Sequence, residues 1–209
     1  GADFNKQIRD FQGVKKINQF IGVMIESSRG STWIPDKPVE AAEETSVHEV
    51  KATGALVLPV STTSNFLMVS FLNNRTVSAK DLESLLKIKD QLIWLKLSGV
   101  KISDETMNVI AKLDGLTWLY MDHTPLTDEV LSKLSALKNL QYLNLVGTGI
   151  SDKSLTFLNG LTDLRQVYLY DTRVTKTGIE KLSQQLPSLR IDTGSYNLPA
   201  LPTDTLVYK

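Results

Sequence analysis

Four stretches of this 209-residue chain align without a gap: LIWLKLSGVKISDETM from Leu92, LTWLYMDHTPLTDEVL from Leu116, LQYLNLVGTGISDKSL from Leu140 and LRQVYLYDTRVTKTGI from Leu164. Their starts are 24 residues apart each time. Apolar residues recur in fixed columns. The first holds Leu92, Leu116, Leu140 and Leu164; the fourth Leu95, Leu119, Leu143 and Val167; the sixth Leu97, Met121, Leu145 and Leu169. Ile102, Leu126, Ile150 and Val174 fill the eleventh, and Met107, Leu131, Leu155 and Ile179 the sixteenth. Such a unit cannot bury its apolar face alone, so its copies must stack on one another.

Columns four and six alternate with polar or aromatic neighbours, the pattern of a half-buried strand. Farther on, Leu131, Leu134 and Leu137 form a helix-spaced apolar stripe. Between them lie Ser103-Asp104, Thr127-Asp128 and Ser151-Asp152. The hydroxyl residue suits an N-cap, and the Asp falls in the first turn, where the helix dipole favours negative charge. No Glu or Gln follows three residues after the cap, so the sequence predicts simple caps rather than capping boxes. A metal ladder is the other reading of the Asp column, and Lys176 in the fourth unit breaks it. Column nine holds Val100, Thr124, Thr148 and Thr172, whose hydroxyls can bond backbone groups of the adjoining turn.

An LxxLxL strand, an apolar anchor and an amphipathic helix at this period resemble the leucine-rich repeat family, whose repeats run about 20–29 residues. The resemblance implies a right-handed α/β solenoid of about five 24-residue repeats, with a parallel sheet on the concave face and helices on the convex face. Upstream, Phe66, Val69, Phe71 and Val77 echo Leu92, Leu95, Leu97 and Ile102 with one residue of slippage after the strand, and Asp81 to Leu86 reads as the helix of a divergent first repeat. Ala55 to Val60 is strand-like, with Pro59 suited to an edge. Leu186, Leu189 and Ile191 repeat the strand spacing once more without a following helix.

The first part of the chain differs. Phe4, Ile8 and Phe11, then Val14, Ile17, Ile21 and Met24, predict two short helices broken near Gly13. Ser27 to Ser31, Pro35 and Pro38 mark a linker, and residues 36–51 carry five acids against two lysines. This acidic stretch reads as a solvated connector rather than an acidic binding arm; the stretch before the repeats either packs as a helical cap against the first repeat or reflects a truncated preceding domain. The expected organisation is a helical N-terminal segment with acidic linker over 1–52, a capped repeat domain over 53–193 and a tail over 194–209.

Lys+Arg and Asp+Glu both number 23, so the net charge is zero. A nucleic-acid binder needs a basic surplus to displace counterions, and that class is set aside. Apolar runs such as Ala55 to Val60 fall far short of the ~20 residues of a membrane span, so no insertion by this segment is expected. With no cysteine, the segment offers no thiolate ligand, Cys nucleophile or haem attachment. The Thr-bearing repeats and the opening Gly1-Ala2-Asp3-Phe4 are together similar to bacterial membrane proteins that join a cytochrome c-like haem domain to C-terminal leucine-rich repeats, in which an element WI-x-x-GA-(D/A)-F follows the haem domain. That similarity implies no cofactor in this segment, haem c in an upstream domain, and a periplasmic or extracytoplasmic place in a membrane-anchored protein.

Residues between the core leucines should face away from the helices. Trp94, Lys96, Trp118, Tyr120, Asp122, His123, Tyr142, Asn144, Tyr168 and Tyr170 are the candidate binding residues on that side. Two of the three tryptophans and four of the six tyrosines fall there. Strands ~4.8 Å apart would stack Trp94, Trp118 and Tyr142 into a ladder, either a hot spot for a protein or peptide, a platform for carbohydrate, or mere reinforcement of the sheet. An Asp122–His123 dyad lacks a partner: Asp171, two strands away, would stand ~10 Å from His123, too far for a hydrogen bond. One repeat His cannot supply the three or four ligands of a metal site. The sequence therefore predicts no catalytic residue and no metal site: a non-enzymatic interaction module, with a structural spacer or docking domain as the alternative.

Overall fold

The computed structural model describes residues 34–71 and 76–194. The helices expected within residues 4–24 and the tail after Gly194 lie outside the described residues. The chain divides into two units at Pro38–Val39, and the second holds the sheet and its helices.

Among the described residues seven strands form one sheet in chain order: β1 (Leu56–Pro59), β2 (Leu67–Ser70), β3 (Leu92–Lys96), β4 (Trp118–Tyr120), β5 (Tyr142–Asn144), β6 (Gln166–Tyr168) and β7 (Arg190–Asp192). β1 pairs antiparallel with β2, and every later pair is parallel. Parallel neighbours need a crossover, and each repeat supplies one through its helix. From β3 onward each residue pairs with the residue 24 positions ahead, as Trp94 with Trp118 and Trp118 with Tyr142. This in-register parallel sheet, backed by helices on one face, is a leucine-rich-repeat architecture.

Inward columns build one continuous core. Leu92, Leu116, Leu140, Leu95, Leu119, Leu143 and Val167 are all buried, and the helix residues Met107, Leu131 and Leu155 join the same cluster. Burial thins toward the C-terminal end, where Val174 and Ile179 are half-buried. The stripe expected to be one α-helix is split: Asp128–Leu131 is helical and Ser132–Ala136 forms a 3₁₀ turn. Leu131, Leu134 and Leu137 are three residues apart, the spacing that a 3₁₀ turn keeps on one side. The first repeat does the same, with a helix over Ala79–Glu83 and a 3₁₀ turn over Ser84–Ile88 that bury Leu82, Leu85 and Ile88.

At the divergent end, Val69 pairs with Leu95 and Thr76 bridges to Lys101, so the slip of one residue after the strand is present. A second slip precedes it, since Leu67 rather than Phe66 pairs with Leu92. At the other end Ile191 pairs with Val167, so Ile191 takes column four, whereas the spacing of Leu186, Leu189 and Ile191 suggests column six. A shift of two residues leaves the same face inward. The acidic stretch is partly structured: α1 (Glu44–Ala52) buries Val50 and Ser46, and Lys87 of the first repeat pairs with its Glu49 at 2.5 Å. Gln91 Nε2 donates to the Glu40 carbonyl at 2.9 Å, and Asn65 Nδ2 to that of Val39 at 2.9 Å, tying the approach to α1 onto the repeats. Residues 44–52 thus form a helix that packs against the first repeat.

The hydroxyl caps form as expected, but capping boxes occur without Glu or Gln. Ser78 and Asp81 bond reciprocally, as do Ser103 and Thr106, because short Asp and Thr side chains also reach the cap N–H. The Asp column does more than favour the dipole. Asp128 accepts from the N–H and Oγ of Ser151 at 2.8 and 2.6 Å, and also from Ser154 Oγ. Asp152 accepts from the N–H and Oγ1 of Thr175 at 2.7 and 2.6 Å. Each Asp therefore clasps the helix start of the following repeat. Lys176 stands where no further helix-bearing repeat follows among the described residues, which accounts for its break in the column. Asp104 departs from the pattern and pairs with Lys133 at 3.1 Å.

Burial opposes ionisation of Asp128, but the hydrogen bonds from Ser151 and Ser154, with Lys153 nearby, outweigh it and hold its carboxyl below the usual 3.8. A depressed folded value gives stability that is present above 3.8 and lost as pH falls through the folded value. Asp128→Ala is expected to lower stability at pH 7 by about 1–3 kcal/mol, since it strands three donors. In urea melts run down to pH 2 the gap between wild type and variant should shrink below the usual Asp range of about 3.9; an unchanged gap would refute the clasp.

Candidate functional site

The sheet's pleat sends alternate residues to the face opposite the helices, the concave side of the arc that such a solenoid describes. Strand register then lines up two rows. One runs Leu58, Met68, Trp94, Trp118, Tyr142, Gln166, Arg190; the other runs Leu56, Ser70, Lys96, Tyr120, Asn144, Tyr168, Asp192. Of the expected residues, Trp94, Lys96, Trp118, Tyr120, Tyr142, Asn144 and Tyr168 all lie in these rows, half-buried. Leu56 and Leu58 extend the face by one strand and are 54% and 40% exposed. They escape a reading by repeats because β1 is antiparallel and outside the 24-residue register, and its run Leu-Val-Leu-Pro is apolar throughout, so nothing in it tells exposed Leu56 and Leu58 from buried Val57.

The ladder is continuous. Trp94 and Trp118 stack with centroids 4.6 Å apart and planes 20° apart; Trp118 and Tyr142 follow at 4.7 Å and 19°. Tyr142 also meets Tyr120 at 4.9 Å and Tyr168 at 5.2 Å, both tilted. Both faces of Trp118 are therefore covered by its neighbours, and the row presents ring edges. Lys96 Nζ sits 4.9 Å from the centroid of the Tyr120 ring. Gln166 Nε2 donates to the Tyr168 hydroxyl at 2.5 Å.

The cluster is dry enough to shift its ionisations. Burial pushes Tyr120 up to about 12, with a smaller opposing pull from Tyr142 and further upward pushes from Tyr168 and Asp122. Burial, then Tyr120 and Tyr168, raise Tyr142 as well. Both phenols thus stay neutral donors at physiological pH. Burial lowers Lys96, and Asp122 partly restores it. Trp94 Nε1 is a buried donor with no partner among the described residues.

Asp122, His123 and Tyr170 lie past the strand ends. Asp122 accepts from Ser98 Oγ at 2.7 Å, and Tyr170 is 55% exposed. His123 and Asp171 carry positive φ of 54° and 53°, and their equivalents Gly99 and Gly147 have 70° and 66°. Column eight is thus the left-handed turn position of each repeat, which fixes the role of His123 in the backbone. Its ring lies over Gly147, where a Cβ would collide with His123 Nδ1. In column nine Thr148 Oγ1 donates to the Leu145 carbonyl at 2.6 Å and Thr172 Oγ1 to that of Leu169 at 2.8 Å, closing their own turns, whereas Thr124 Oγ1 reaches the Leu97 carbonyl of the preceding repeat at 3.2 Å. Among the described residues no group of three His, Asp or Glu could hold a metal ion, and no helix is long and apolar enough to cross a membrane.

Stacked indoles couple their transitions, so the far-UV circular dichroism should show an exciton couplet that disappears in Trp94→Phe and in Trp118→Phe. Trp118→Ala should cost about 1–3 kcal/mol, the worth of two aromatic contacts. His123→Gly is expected to leave stability unchanged or raise it by up to about 1 kcal/mol, because glycine carries no left-handed penalty; a loss above 1 kcal/mol in denaturant melts would refute the turn role.

No protein-family profile matches the chain, and no curated protein matches it in sequence. Among solved structures it is similar to a leucine-rich repeat protein of Leptospira interrogans, at 23% identity and TM-score 0.41, over 53% of this chain and 27% of that one. An internalin of Listeria monocytogenes is matched at 16% identity and TM-score 0.40, over 61% of this chain and 41% of that one. The leucine-rich repeat ectodomain of the Arabidopsis thaliana receptor kinase SOBIR1 is matched at 14% identity and TM-score 0.43, over 75% of this chain and 93% of that one. The chain thus spans under half the length of the two bacterial proteins. Its own register, one parallel strand every 24 residues from β3 to β7, carries the assignment to the leucine-rich-repeat fold.

Proposed function

We propose that this chain is a non-catalytic recognition module that binds an extended segment of a protein partner on the helix-free face of its sheet. The observation that carries the reading is the aromatic row centred on Trp118, half-buried and continuous across three strands. Rigid aromatics with a polar tip supply contact area at small entropic cost, which is why they concentrate at hot spots. A sugar would need a free ring face, and Trp118 offers edges; edges carry the positive side of the ring quadrupole and suit carbonyl oxygens of a peptide. A carbohydrate ligand is therefore the weaker reading. In this proposal the module is the binding end of a larger extracytoplasmic, membrane-anchored bacterial protein with haem c in another domain. The Thr-bearing repeats and Gly1 to Phe4 support that context, and a CxxCH motif in the full-length sequence is its check.

A photoreactive benzoylphenylalanine in place of Tyr170, in the full-length protein and its producing organism, tests the binding face. A covalent protein adduct is expected, lost on adding Trp118→Ala and Tyr142→Ala, and missing when the probe replaces exposed Lys181 on the helix Lys176–Gln185. An adduct indifferent to those substitutions would overturn the reading in favour of a spacer.

A further inference from the structure

The charges on the aromatic face are unequally satisfied. Its two carboxylates already have partners within the chain: Asp122 accepts from Ser98 Oγ at 2.7 Å and Asp192 from the Gly194 N–H at 2.9 Å. Its two cations do not. Among the described residues neither the Lys96 ammonium nor the Arg190 guanidinium makes an ion pair or side-chain hydrogen bond. Arg190 is exposed at the far strand β7 and has water. Lys96 is half-buried, flanked by Ser70 on β2 and Tyr120 on β4, with its ammonium against the Tyr120 ring. Long lysines ordinarily snorkel to water, and a charge drawn from water without a counter-ion is costly. Burial lowers the Lys96 ammonium, and Asp122, already engaged by Ser98, offsets only part of that.

We infer that Lys96 is the receptor for a carboxylate of the bound segment, so that the module selects an extended acidic peptide. This rests on the recognition reading above and names its ligand chemistry. A carboxylate arriving at Lys96 gains an ion pair in a site whose desolvation is already complete in part, where such a contact is worth more than on open surface. Apolar side chains of the same segment lie along the Trp94–Trp118–Tyr142 edges and reach Met68, Leu58 and Leu56. Four strand spacings and two residues along the strand place Arg190 about 20 Å from Lys96. An extended chain covers that in about six residues, so a second acid near that interval would meet Arg190.

Panning a random 12-residue peptide library on the whole chain, in parallel with Lys96→Met and Trp118→Ala, tests the inference. Peptides recovered on wild type should share an Asp or Glu beside apolar residues. A synthetic consensus peptide, titrated by calorimetry, should bind Lys96→Met about tenfold or more weakly, the scale of a charge-assisted contact, while Lys96→Arg retains most of the affinity. Changing the peptide's acid to its amide should cost the same factor on wild type and nothing on Lys96→Met. Removing an unpaired half-buried charge should not harm folding, and an unchanged circular dichroism spectrum verifies this. If recovered peptides need Trp118 but show no acid preference and bind Lys96→Met equally, the Lys96 inference is overturned and the recognition reading stands. If no peptide binds wild type better than Trp118→Ala, both are overturned.

Discussion

The constraint on which everything else depends is the registered parallel pairing of strands that are 24 residues apart. Because each strand is three to five residues long, no single one could hold its neighbours by backbone bonds alone. What fixes the register is that a slip of one residue would turn every inward leucine to water. Once it is fixed, each column becomes a row: leucines against leucines inside, rings against rings outside, and turn residues with left-handed backbone at each strand end.

The same register makes the Asp clasp possible. A carboxylate at the first helical position points at the helix start of the next repeat only when the two repeats are stacked in phase. Ser151 and Thr175 then serve twice, donating to the Asp of the preceding repeat and accepting from their own helix. Polar bonds thus tie neighbouring repeats along the helix side while apolar packing fills the layer between helices and sheet. A repeat protein gains cooperativity through such nearest-neighbour terms.

On the helix-free face the consequences are electrostatic. Stacking rings at van der Waals distance expels water from the strip, so groups carried on it become unusual: neutral tyrosines, an unpartnered Trp94 donor and a half-desolvated Lys96. A neutral chain of 23 acids and 23 bases would give no long-range steering. In the proposed recognition, the local imbalance between partnered carboxylates and unpaired cations takes that part instead.

The repeat was legible because apolar periodicity is a one-dimensional record of burial: the columns from Leu92 to Ile179 gave the strand, the turn, the helix side and the aromatic ladder without coordinates. The caps at Ser103, Thr127 and Ser151 were legible for the same reason, being local. What the sequence could not show were features formed between distant residues or outside the period. The Asp clasp joins residues 23 apart and looks like ordinary first-turn acidity in one dimension. Leu56 and Leu58 joined the helix-free face through an antiparallel strand that shares no register with the repeats. That His123 takes the left-handed turn position of its repeat shows in its positive φ. Whether Lys96 had a counter-ion depended on side-chain placement across three strands. Periodic burial, then, is written in the chain by itself; satisfaction of charge and hydrogen bonds belongs to the folded neighbourhood, because it depends on distances that only packing sets.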